Sequence, residues 1–205
     1  MKILAVSDVV VSWIYSSKIR VMLPDRDLVI GCGDLPAYYL DYIVSSLDIP
    51  LFHVRGNHSI PDENEKPQNY NSSGVVNLHR RVIRYNGLTF AGVEGSLRYN
   101  EGAYQYSQVG MWLNVIRLVP ALLSNKVRHG SYLDVFVTHA PAWGIHDQPD
   151  LPHQGIKAFR WVLAQFKPEY HLHGHIHVYR PDTVMETMFV NTRVINAFGY
   201  HSIEI

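Results

Sequence analysis

Short apolar runs that stop at polar residues recur along the chain and predict its strands. They are "KILAVSD" (2–8), "DLVIGCGD" (27–34), "PLFHVRGNH" (50–58), "YLDVFVTHAP" (132–141) and "EYHLHGHIH" (169–177). Between them, helical spacing of apolar residues predicts helices over 37–47, over much of 106–124 and over 155–166, the last closed by Pro168. Strands that alternate with helices imply a sheet with parallel portions, whose polar strand ends gather at one rim. The pattern changes over 75–96, "VVNLHRRVIRYNGLTFAGVEGS", where Asn86-Gly87 separates two alternating runs and predicts a hairpin. A second, more antiparallel sheet is expected there. The final "FVNTRVINAFGYHSIEI" also reads as strands, so two sheets packed as a layered sandwich are expected. Residues 59–73 and 143–155 are expected to be mobile loops.

Composition narrows the class. The 205 residues are 47% hydrophobic and 18% charged, enough for one globular domain, 1–205, with a sizeable core. Lys+Arg and Asp+Glu both number 18 and form no like-charged block, which leaves nucleic acid or an acidic membrane without an obvious electrostatic handle. Cys32 is the single cysteine, so no internal disulfide is possible, and a small buried residue in a reducing compartment is expected. Asp8 interrupts the apolar start, which argues against a signal peptide, and Asn114, Arg117 and Pro120 break the run 109–123 before it reaches membrane-spanning length. The expected location is cytoplasmic. Oligomeric state is left open.

The chemistry lies in the strand ends. They supply Asp8, Asp34, Asn57-His58, Thr138-His139 and Gly174-His175-Ile176-His177, a set of carboxylate, amide and imidazole groups suited to manganese, iron, zinc or nickel. Seven of the twelve histidines fall between 139 and 177, a concentration that a metal centre explains. Two neighbouring cations repel, and an aspartate bridging both reduces that cost, with Asp34 the best candidate.

The ordered motifs "GD" (33–34), "GNH" (56–58), "THAP" (138–141) and "GHIH" (174–177), following Asp8, resemble those of the calcineurin-like metallophosphoesterases. That resemblance implies a four-layer α-β-β-α sandwich of two mixed sheets flanked by helices, and a phosphoesterase holding two divalent metal ions. Asp34 would bridge them, with Asp8 and His177 completing the first site and Asn57, His139 and His175 the second. His58 would act as general acid or cationic donor to the leaving oxygen after a hydroxide held between the ions attacks phosphorus. Glycines 33, 56 and 174 would permit tight turns beside the metals. His171 and His173 would pack within the strand, with His173 in reach of hydrogen-bonding a ligand.

Two departures qualify the resemblance. The family's first motif is Asp-any-His, and Val10 stands where that histidine belongs, which weakens the first site and can leave it partly occupied. His146 and His153 are candidates to stand in. Ser59 replaces the acidic residue that often follows "GNH". Arg55, Arg98 and His153 are candidates for holding substrate, and the aromatic stretch 97–106 either lines a substrate pocket or packs across the domain. The expected partner is a small phosphoester, diester slightly ahead of monoester. A binding or scaffolding protein is the main rival, since some relatives, a retromer-coat subunit among them, have little or no catalysis. A nuclease is disfavoured by the balanced charge.

Overall fold

A computed structural model describes residues 1–59 and 74–205. Apart from Ser59, the loop expected at 59–73 lies outside them. Elements are numbered in chain order. The first sheet runs β13 (Gly199–Glu204), β1 (Lys2–Ser7), β2 (Leu28–Gly31), β3 (Leu51–His53), β4 (Val75–Asn77). Its pairings are parallel except β13 on β1. The second runs β11 (Glu186–Phe189), β12 (Thr192–Asn196), β10 (Tyr170–His173), β9 (Val135–Thr138), β6 (Leu88–Val93), β5 (Val82–Tyr85). Only its two outer pairings are antiparallel. A two-stranded ribbon, β7 (Ser96–Leu97) with β8 (Gln105–Tyr106), stands apart.

Alternation along each strand builds three cores. In β1, Ile3 and Ala5 face the second sheet and meet Phe90, Val137 and Leu172, while Leu4 and Val6 face outward beneath Tyr39 and Ile43. Those last two belong to helix α2 (Ala37–Leu47), which with the short α1 (Ile19–Met22) covers the first sheet. The second sheet is covered by α3 (Gln108–Ile116), α4 (Val119–His129) and α5 (Lys157–Phe166), through Met111, Leu122 and Phe159 packed on Phe136 and Val194. The layers are therefore α-β-β-α, as the resemblance implied.

Several expectations need correction. The helix foreseen over much of 106–124 is two helices extending to residue 129, with Pro120 in the first turn of the second, where its missing N–H costs nothing. The Asn86-Gly87 hairpin forms, with φ of 46° and 85° and Tyr85 opposite Leu88. The second sheet is nevertheless not mainly antiparallel, because β6 pairs in parallel with β9, and residues 75–77 join the first sheet beside β3. The closing strands divide, β11 and β12 to one sheet and β13 to the other. Segment 143–155 is irregular but stitched, Gly155 N–H donating to Asp147 (3.1 Å) and Gln148 N–H to the His153 carbonyl (3.1 Å). No described helix is long and apolar enough to cross a membrane.

His171 and His173 share the face of β10 that looks toward the helices, both fully buried. His171 stacks on Phe136 at 5.3 Å and meets the Thr138 hydroxyl at 2.8 Å. His173 bonds His146 at 2.9 Å, and the other nitrogen of His146 meets Thr187 at 2.9 Å. Burial, aided by neighbouring histidines, holds His173 near a pKa of about 3 and His171 well below its usual value. Burial likewise depresses His53 to about 4 and His79 to about 3.

These folded-state values lie below the unfolded value of about 6.5, so the unfolded chain binds more protons as pH drops beneath 6.5. Their stabilising share is complete above that pH and lost on acidification. His146, His175 and His201, depressed chiefly by burial, add to the trend, whereas Glu94, pushed up by burial, and His139 and His177, held up by the carboxylates beside them, oppose it. In chelator, the thermal midpoint followed by circular dichroism is expected to fall by roughly 5–15 °C between pH 7 and pH 5. A flat profile contradicts the neutral buried histidines.

Candidate metal centre

The parallel pairing of β1, β2 and β3 brings the ends of these strands to one rim, and the β9 and β10 ends meet it from the facing sheet. There the backbone leaves ordinary strand geometry. Asp8, Asp34 and His175 all adopt left-handed φ, at 66°, 53° and 69°. Such departures from preferred backbone cluster where side chains must be aimed. The turn after β10 thus falls on His175 rather than on Gly174, whereas Gly33 does carry a positive φ of 99° as foreseen.

Four side-chain atoms converge. His139 Nε2 lies 3.0 Å from Asn57 Oδ1, 3.1 Å from His175 Nδ1 and 3.2 Å from Asp34 Oδ2. Asp34, His139 and His175 form the one group of three or more potential ligating side chains found among the described residues. The outward nitrogens of both imidazoles are occupied. His139 Nδ1 meets the Cys32 carbonyl at 2.8 Å and His175 Nε2 the Pro152 carbonyl at 2.8 Å. A carbonyl only accepts, so each of those nitrogens carries the hydrogen, and in the neutral rings the inward nitrogens present lone pairs. Two imidazole lone pairs, an amide oxygen and a carboxylate then point at one another, an arrangement that a cation resolves. The donor set fits a borderline divalent metal.

Electrostatics agrees. Burial opposes charge on His139, but the Asp34 carboxylate outweighs it and raises the imidazole to about 9. Burial would raise Asp34, yet the His139 charge and hydrogen bonds from His139 and the His58 N–H bring it to about 2. A proton on His139 is the smallest cation that can fill the gap, and a divalent ion would displace it. Burial, then the nearby His139, lowers His175 to about 3, the neutral form that ligation requires.

The other expected ligands are near but less gathered. The Asp8 side chain is buried, takes the His175 N–H at 3.1 Å on both oxygens and stands 3.7 Å from His177 Nε2. His177 is exposed, its Nδ1 3.0 Å from the Tyr179 hydroxyl. Val10 is exposed as well. His146 does not stand in for the missing histidine, since both its nitrogens are engaged with His173 and Thr187. His153 lies against His175, ring centres 5.4 Å apart, with Nδ1 held 2.6 Å from Asp150.

His58 is exposed, and its backbone N–H donates to Asp34 Oδ1 at 2.8 Å. The hydroxyl of Ser59 accepts from Gly56 N–H at 2.9 Å, closing the turn that carries Asn57 and His58. Arg55 turns to the buried Glu94 (3.3 Å) and over the Tyr104 ring (5.0 Å), which accounts for its guanidinium without a substrate. Arg98 is exposed and donates to the Gln105 carbonyl at 3.2 Å. Sequence reasoning missed the carbonyls of Cys32 and Pro152 and the Tyr99 hydroxyl, which accepts from Asn57 Nδ2 at 3.1 Å. Backbone carbonyls leave no mark in residue identity. Tyr99 did fall within the aromatic stretch singled out at 97–106.

A family model for calcineurin-like phosphoesterases matches residues 1–179. The chain belongs to that family. Among solved structures, this calcineurin-like chain is similar to TT1561 of Thermus thermophilus, with a TM-score of 0.64 at 17% identity over 97% of this chain and 89% of that one. It also resembles a hypothetical protein from the same organism, with a TM-score of 0.51 at 18% identity over 96% and 75% of the two chains. GAP50, the anchor in the inner membrane complex of Plasmodium, gives 0.52 at 13% identity over 96% and 70%. These likenesses are of fold. A search of curated proteins returns no match.

Gly56 is a position at which the calcineurin-like centre is easily disturbed, because a methyl there would overlap the Asp34 carboxylate. Divalent ion added to the wild-type apoprotein is expected to raise its thermal midpoint. Gly56→Ala should weaken ion affinity by about tenfold or more, read by calorimetric titration. An unchanged affinity contradicts the placement of Asp34 at the centre.

Proposed function

We propose that the protein is a metal-dependent phosphoesterase acting on a small phosphoester, with phosphodiesters slightly favoured over monoesters. The observation that carries this reading is the convergence of Asp34, Asn57, His139 and His175 on one point, with the exposed His58 tied to it through Asp34. In this reading Asn57, His139 and His175, with Asp34, hold the second ion, and Asp34, Asp8 and His177 hold the first. Two ions are the proposed complement, with manganese, iron, zinc or nickel suited to the donors. When bound, such ions supply Lewis acidity and make water a nucleophile near neutral pH.

The chain's own residues do the remainder. The buried Asp8 and Asp34 keep negative charge in place against bound cations. His58, on an exposed turn closed by Ser59, is free to reach the departing oxygen and give it a proton, a contribution worth about 10²–10⁴ in rate. His153, oriented by Asp150 beside His175, and the exposed Arg98 are proposed to meet the substrate. The family supports a hydrolase, and the lone buried Cys32 fits the reducing compartment of a cytoplasmic one.

One observation favours a second reading. Valine at position 10 stands where the family pattern has a ligand of the first site, and in this second reading a chain whose first site stays empty serves as a binding or scaffolding protein. Hydrolysis of an aryl phosphodiester with added manganese separates the two. The phosphoesterase reading expects turnover that chelator abolishes, a loss of about 10²–10⁴ in kcat in His58→Ala with ion uptake retained, and more ions bound per chain in Val10→His. Ion uptake without turnover on diesters or monoesters supports the scaffold instead.

A further inference from the structure

Apart from Arg98, the stretch between β7 and β8 has no part in the proposed chemistry, yet it is built with care. Gln105, 4% exposed, accepts the backbone N–H groups of Tyr99 and Asn100 on Oε1 at 3.1 and 3.2 Å. Its Nε2 donates to Asn100 Oδ1 at 2.6 Å, and the same oxygen accepts Gly102 N–H at 2.8 Å. The ribbon itself pairs Ser96 with Gln105 and Leu97 with Tyr106. A buried amide that organises its own loop in this way fixes where the loop's side chains point. What it presents is the half-buried Tyr99, whose hydroxyl accepts from Asn57 Nδ2 at 3.1 Å.

Asn57 is unlike its partners in the cluster. A carboxylate offers an oxygen whichever way it turns, whereas a half-turn of an amide replaces a lone pair by two hydrogens. With Nδ2 directed at Tyr99, Oδ1 is directed at the cluster, 3.0 Å from His139 Nε2. We infer that Tyr99 is a positioning residue for the metal centre: held by Gln105, its hydroxyl anchors the far end of the Asn57 amide so that the oxygen stays aimed at the ion. The inference rests on the reading of Asn57 as a ligand and adds to it the group that orients that ligand.

The test uses cobalt, whose visible spectrum reports ligation, titrated into the whole chain against a competing chelator. Tyr99→Phe is expected to weaken affinity by about 10–100-fold, with the far-ultraviolet circular dichroism of the apoprotein unchanged. The same substitution is then made in an Asn57→Asp background. There either oxygen can serve, so Tyr99→Phe is expected to change affinity by less than about twofold. Wild-type affinity in Tyr99→Phe overturns the inference and leaves the metal centre standing. An equal loss in both backgrounds also overturns it, assigning Tyr99 to packing. A wild-type chain that takes up no cobalt overturns the metal centre and this inference together.

Discussion

Everything at the rim follows from lone pairs that face each other at about 3 Å around His139. Such a cluster repels itself unless positive charge sits within it, and the surroundings are arranged to keep it intact rather than let it relax. Carbonyls of Cys32 and Pro152 claim the outward nitrogens, so the rings cannot turn their hydrogens inward without losing those bonds. The left-handed residues at positions 8, 34 and 175 bend the chain so that side chains from separate strands meet. The sandwich supplies rigid walls from which this repulsive geometry can be held.

The division of labour between the sheets explains why the site lies where it does. The first sheet delivers Asp8, Asp34 and Asn57 from three adjacent parallel strands, and the second delivers His139 and His175 from two. The core between them, built on Ile30, Phe52, Phe90 and Leu172, fixes the separation of these two sets of side chains. Methylenes lost from this core would therefore alter geometry at the rim as well as stability.

Much of this was legible in the chain. The strand-ending Asp8, Asp34, Asn57, His139 and His175 could be read as one set, because parallel strands of apolar residues must open at a common edge. The Asn86-Gly87 hairpin was equally plain, its chemistry being local. The sheet membership of residues 75–77 was not, since parallel pairing with β3 is chosen by distant packing that leaves no periodic trace. The split of α3 from α4 was hidden because Pro120 suits a helix start as well as a helix break. The His146 bonds to His173 and Thr187, and the Asn57 contact with Tyr99, link residues 27 to 42 positions apart and depend on how the loops settle.

Cys32 occupies an unusual station in this scheme. Its carbonyl braces His139, while its thiol is sealed among the side chains between the sheets, where burial above all raises its pKa far beyond the normal range. A sulfhydryl so shielded stays inert toward alkylating reagents as long as the two layers remain closed. Its rate of modification is consequently a clock on the breathing of the interior, read at the one strand end where an opening would also release the histidine.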